Sequence, residues 1–145
     1  MRKRNLRLLA LIIVLTLILS TTAFATLKAS AYIAATNTWI SRDGDTVTVN
    51  FYVVGTNIMD MIGVKKIYLY EKTGNTWYLV ETYDYTDTNY AAEMMGYNSG
   101  FKSGGVDYSG SASKCYYADV RFYAERAGGS DTIPQNTPIS CGSGS

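Results

Sequence analysis

The stretch Thr46-Val47-Thr48-Val49-Asn50-Phe51-Tyr52-Val53-Val54 decides the fold. Its apolar residues recur at every second position, so an extended strand places Val47, Val49, Phe51 and Val53 on one face. Upstream, Tyr32 to Ile40 reads as a partner strand, with Asp43-Gly44 supplying the positive-φ residues of a tight hairpin turn. Downstream, Lys65 to Glu71 and Thr76 to Tyr85 read as two strands flanking Gly74-Asn75, where glycine at the first central position suits a type II′ hairpin. That register sets Leu69 opposite Val80 and Tyr70 opposite Leu79.

Residues 86–100 read as a long loop or a short helical turn, and Phe101 to Tyr108 as the next strand. Lys114 to Glu125 is the strongest strand in the chain, and Asp131 to Ser140 is the last. Pro134 and Pro138 have no N–H to give a ladder, so this last strand belongs at a sheet edge. Met59, Met61, Met94 and Met95 read as gap-fillers in two loops at one end. About seven short strands separated by turn signals predict an all-β protein, an antiparallel β-sandwich.

The N-terminus has a different character. Arg2, Lys3, Arg4 and Arg7 precede an apolar run from Leu8 to Leu19, interrupted only by Thr16, and Ser20 to Ala25 ends in an A-x-A triplet. Basic start, short apolar core and small-residue site are the parts of a cleavable signal peptide. A membrane-spanning helix needs about 20 apolar residues, more than this run offers. The reading is a signal peptide over residues 1–25, one domain over 26–141 and a flexible tail over 142–145. A second A-x-A, Ala29-Ser30-Ala31, marks an alternative cleavage site. Four basic and no acidic residues leave with the signal, taking the net charge from +1 to −3. An acidic domain without a basic cluster fits neither nucleic acid nor an anionic membrane surface. The expected product is secreted and extracellular, with no stable membrane association after cleavage.

One run carries a sharper cue. In Cys115-Tyr116-Tyr117-Ala118-Asp119-Val120-Arg121-Phe122, the pattern Tyr116-x-Ala118-x-Val120 resembles the start of the sixth strand of immunoglobulin-like and fibronectin type III domains. There a tyrosine two residues before a buried position ties down the preceding corner. Ala118 stands where antibody domains carry a cysteine, so the usual inter-sheet disulfide is absent. Five segments extend over most of the exported part: Met59 to Gly63, Ile67 to Glu71, Tyr85 to Thr88, Met95 to Asn98 and Tyr116 to Ala124. In these the chain resembles an uncharacterised family of small secreted proteins of Gram-positive bacteria, with an immunoglobulin-like or fibronectin type III-like sandwich. That resemblance implies one fold throughout and brings no functional residue with it.

Cys115 and Cys141 are the only cysteines, and exported thiols usually pair. Residue 128 lies 13 positions from each, within a turn signal at Gly128-Gly129-Ser130, so a hairpin folded there sets the two opposite each other. A nucleophilic or metal-binding cysteine is the alternative, but the chain has no histidine to serve as base or co-ligand. The same absence removes Ser-His-Asp, Cys-His and His-zinc chemistry. A carboxylate pair for glycoside hydrolysis is the remaining enzymatic option, with Asp43, Asp45, Asp84, Asp87 and Glu93 as candidates. Asp43-Gly44-Asp45 and the stretch from Asp84 to Asp87 also offer oxygen ligands for calcium. Turn chemistry accounts for these aspartates without metal or catalysis, and no enzyme activity or cofactor is expected.

Tyrosine placement is the most informative functional feature. With Ile67 and Leu69 inward, Tyr68 and Tyr70 face outward. With Tyr116, Val120 and Phe122 inward, Tyr117, Arg121 and Tyr123 face outward. Neighbouring strands would merge these into one aromatic patch, able to anchor a protein or stack on a glycan. Strand propensity alone is the plainer account of tyrosines on a wet face. The expected function is a non-enzymatic binding module acting through this patch, with a bacteriocin-like effector or a small glycosidase as the alternatives.

Overall fold

A computed structural model describes residues 30–142; the signal-peptide reading, like most of the tail, falls outside them. The described chain is all-β apart from one helical turn. In order it forms β1 (Ile33–Asp43), β2 (Thr46–Thr73), β3 (Thr76–Asp84), the turn α1 (Ala91–Met94), β4 (Met95–Ser109), β5 (Cys115–Arg126), β6 (Gly129–Asn136) and β7 (Ser140–Cys141). All seven strands belong to one antiparallel sheet.

The alternating stretch is the first third of β2, a strand of 28 residues that runs on where two strands and a loop were expected. Over residues 46–54 it pairs with β1 on one side and β4 on the other. Over residues 61–72 it pairs with β5, and over 66–73 with β3. Gly55, Asn57, Asp60 and Gly63 look like breakers in sequence. Here they lie where the strand passes between two sets of neighbours, and the β2–β4 register slips between Val54 and Met59. The methionines change place accordingly: Met59 and Met61 lie in β2 and Met95 opens β4. Met59, Met94 and Met95 are buried, so they fill core gaps rather than loops.

Both halves of β2 feed one core. Val47, Val49, Phe51 and Val53 come from the first half and Ile62, Val64, Ile67 and Leu69 from the second. β5 adds Tyr116, Ala118, Val120 and Phe122, and every one of these side chains is fully buried. Polar contacts cross between the halves as well. The Tyr83 hydroxyl of β3 donates to the Asp107 carbonyl of β4 (2.8 Å), and Thr36 of β1 donates to Gln135 Oε1 of β6 (2.8 Å).

Both early hairpins close on glycine. β1 and β2 meet at Asp43–Thr46, so the central pair is Gly44-Asp45 rather than Asp43-Gly44, with Gly44 alone at positive φ. Gly74-Asn75 takes its expected place, Gly74 having φ 60°. Tyr70 does face Leu79. A bulge between Leu69 and Tyr70 then sets Leu69 opposite Glu81, not Val80. The expected edge strand is interrupted as β6 and β7, and β6 pairs only with β5. Between them the ladder is kept by Thr137, whose N–H donates to the Ala118 carbonyl and whose Oγ1 accepts from the Ala118 N–H (both 2.9 Å). Proline at 138 has no N–H to offer there, and this side chain stands in for the backbone.

Candidate functional site

Pairing brings β2 and β5 side by side, as the patch required: Tyr70 lies opposite Tyr117, and Tyr68 opposite Asp119. Directly opposed residues in antiparallel strands share a face, so Tyr68, Tyr70 and Tyr117 line one outer surface with Lys66, Asp119 and Arg121. The Tyr70 and Tyr117 rings stack at 4.8 Å with an interplanar angle of 8°. Trp77 of β3 meets Tyr117 edge-on at 4.8 Å, and the Lys72 ammonium sits 5.9 Å from the Trp77 ring centre. Leu79, opposite Tyr70, is 53% exposed. The result is an ordered aromatic cluster beside an open apolar side chain. Burial, with Tyr70 and Asp119 adding to it, pushes the Tyr117 hydroxyl pKa up.

The lower part of this face is charged. Arg121 Nη2 holds Asp119 Oδ2 at 2.6 Å, and Lys66 Nζ lies 3.1 Å from Asp84 Oδ2. The other Asp119 oxygen, Oδ1, is buried with no hydrogen-bond partner. The Thr86 backbone N–H and hydroxyl, both bonded to Asp84 Oδ1, hold the Asp84 carboxyl below the ordinary range, with Lys66 contributing less.

Tyr123 does not join the patch. Alternation would turn it outward, yet it is only 6% exposed. The Lys65 ammonium lies 3.5 Å from its ring centre, and its hydroxyl donates to Glu125. A cation and a carboxylate thus occupy the surfaces a ligand would need. Lys65 belongs to a different strand, so no local pattern announces this covering.

The candidate aspartates Asp45, Asp84 and Asp87 tie down turns and corners. Asp45 Oδ1 accepts from the Ala112 N–H (2.7 Å) and Asp87 Oδ1 from the Asn89 N–H (2.9 Å). Among the described residues no group of three or more His, Cys, Asp or Glu is placed to hold a metal ion. Cys115 and Cys141 form a disulfide across β5 and β7, with Cα atoms 4.0 Å apart. The hairpin beneath it turns at Ala127-Gly128, one residue before the expected Gly128-Gly129-Ser130.

A second surface went unread in the sequence. On the outer side of β1, β2 and β4, Trp39, Tyr52 and Phe101 are 42%, 37% and 60% exposed. The signal was present in the opening stretch: if Val47, Val49, Phe51 and Val53 point in, Tyr52 points out. No protein-family model, curated protein or solved structure matches this chain.

Proposed function

We propose that this protein is exported, cleaved after Ala25, and acts as a non-enzymatic binding module whose Tyr70–Tyr117–Trp77 cluster engages a protein partner. The observation that carries the reading is that cluster: a stacked tyrosine pair, an edge-on tryptophan and an exposed leucine held together on one sheet face. Tyr, Trp and Arg are the side chains most often found at binding hot spots. Here Arg121 and Asp119 supply a charged rim. The disulfide is consistent with an extracellular setting.

The fold under this module is an immunoglobulin-like sandwich in which β2 serves as two successive strands. Three features support that reading. The pairing order β1–β2–β4 over residues 46–54 gives a three-stranded layer. The order β3–β2–β5–β6 over the second half gives a four-stranded one. Tyr116 near the start of β5 accepts a hydrogen bond from the Ser111 N–H (2.9 Å), five residues back in the preceding corner.

The test uses protein recovered from the culture medium, expected by intact mass to begin at Thr26. Wild type, Tyr70→Ala and Leu79→Ala are immobilised and exposed to surface and secreted proteins of the producing cells. A partner retained by wild type and weakened about tenfold or more in both variants is the expected result. Equal retention by all three would sink the reading.

A further inference from the structure

We infer that the outer face of β1, β2 and β4 is a separate binding platform for a neutral oligosaccharide, with Trp39, Tyr52 and Phe101 as its stacking rings. This goes beyond the protein-partner reading and rests on the opposite outer surface. Trp39 pairs with Asn50, Tyr52 with Asn37 and Ser103, and Phe101 with Val54. The three rings therefore occupy successive rows on successive strands, each diagonal step being about 7–8 Å. They form one straight line across the sheet, as an extended chain of sugar units would require.

The rings are bare. Tyr70 and Tyr117 spend their faces on each other, whereas Trp39, Tyr52 and Phe101 make no ring contact with any described aromatic or cation. Their row neighbours include Ala35, Ser103 and Gly105, which stand low and leave the ring surfaces open. Neutral hydrogen-bonding groups flank the line. The side chains of Asn37 and Ser103, on either side of Tyr52, bond to nothing among the described residues, and both are exposed. A sugar ring presents C–H groups to an aromatic face and hydroxyls at its rim, which an amide and a hydroxyl can meet.

Charge selects the ligand class. The three rows contain no Asp, Glu, Lys or Arg; the nearest charged positions on this face, Asp107 and Asp43, lie one and two rows beyond that of Trp39. The tyrosine cluster on the other face is bordered instead by Lys66, Asp84, Asp119 and Arg121. An uncharged strip on an acidic domain has nothing to offer a polyanion and suits a neutral polysaccharide.

The test is co-sedimentation of the exported chain with microcrystalline cellulose, chitin and insoluble β-1,3-glucan, with heparin beads as the anionic comparison. Wild type, Trp39→Ala, Phe101→Ala and Tyr70→Ala are compared, all four keeping the near-UV spectrum of a folded domain. Expected is retention on at least one neutral polymer, weakened about tenfold or more by Trp39→Ala and by Phe101→Ala, and unchanged by Tyr70→Ala. In a Trp77→Phe background Trp39 is the sole tryptophan, and its emission is expected to shift as the soluble oligosaccharide of that polymer is added. Retention on no neutral polymer, retention indifferent to both variants, or binding to heparin alone overturns the inference. So does a wild-type dimer in sedimentation velocity that Trp39→Ala converts to monomer, because the face would then be covered by a second copy. The Tyr70→Ala arm keeps failure here distinct from failure of the protein-partner reading.

Discussion

Tyr116 is bonded in both directions at its hydroxyl, accepting from the Ser111 N–H and donating to Glu71 Oε2 (2.7 Å). Its side chain is wholly buried, with Tyr108 edge-on and the Arg42 guanidinium 5.3 Å from its ring centre. Burial, helped by the Glu71 carboxylate, pushes its pKa up to about 12. Burial also raises the Tyr83 pKa well above its usual value of 10.0. A phenol whose pKa is higher in the folded state binds its proton more tightly there. The stability this confers is complete below pH 10.0 and is lost as pH rises through the folded values. The urea midpoint is therefore expected to hold level up to about pH 10 and to fall between about pH 10 and 12, in step with tyrosinate absorbance. Tyr116→Phe should be destabilised by about 1–3 kcal/mol at pH 7, because it strands the Ser111 N–H and takes the donor from Glu71 Oε2, leaving Glu71 only its ion pair with Lys114. It should also flatten that alkaline fall. The role of Tyr116 was legible because its spacing to buried Ala118 is local; the covering of Tyr123 was not, because Lys65 arrives from another strand.

At the scale of elements, the β5–β6–β7 unit depends on two repairs at its interrupted edge. One is the Thr137 hydroxyl on the Ala118 N–H, and the other is the disulfide two residues past the break. With a sequence separation of 26 between the cysteines, removing the cross-link should cost about 3–4 kcal/mol by loss of chain-entropy restraint on the unfolded state. Cys115→Ser/Cys141→Ser and dithiothreitol-reduced wild type are expected to shift alike in urea denaturation, with the first loss of amide protection at β7. Most strands were legible because alternation and turn residues are local properties: Gly74-Asn75 and the run into β5 fell where expected, and the proline-bearing segment took its expected edge position, though broken into β6 and β7. The continuity of β2 was hidden. Glycine and aspartate between residues 55 and 63 carry turn chemistry in most contexts, and only neighbours distant in sequence hold them extended. The bulge between Leu69 and Tyr70 likewise leaves no mark on the pattern.

At the scale of the whole molecule, two exposed strand surfaces differ in chemistry, one on β2, β3 and β5 bordered by charge and one on β1, β2 and β4 whose aromatic rows carry none. Half of this was visible beforehand. Tyr68, Tyr70, Tyr117 and Arg121 were brought together by a pairing that outward-facing positions on adjacent strands could anticipate. The Trp39–Tyr52–Phe101 line needed the register of three strands at once, which a single sequence does not reveal. That register depends on β2, the strand that serves four neighbours. An added residue within 47–53 or 66–72 would turn a whole set of core side chains to the outside. The slip in register between Val54 and Met59 is already out of step with β4 and can absorb one. One alanine inserted after Phe51 is expected to abolish secretion of folded protein, whereas one inserted after Asn57 should leave a cooperative, disulfide-bonded domain with a modestly lower Tm. Descendants of this chain are thus free to vary in length at the middle of their longest strand, the place where a strand ordinarily permits it least.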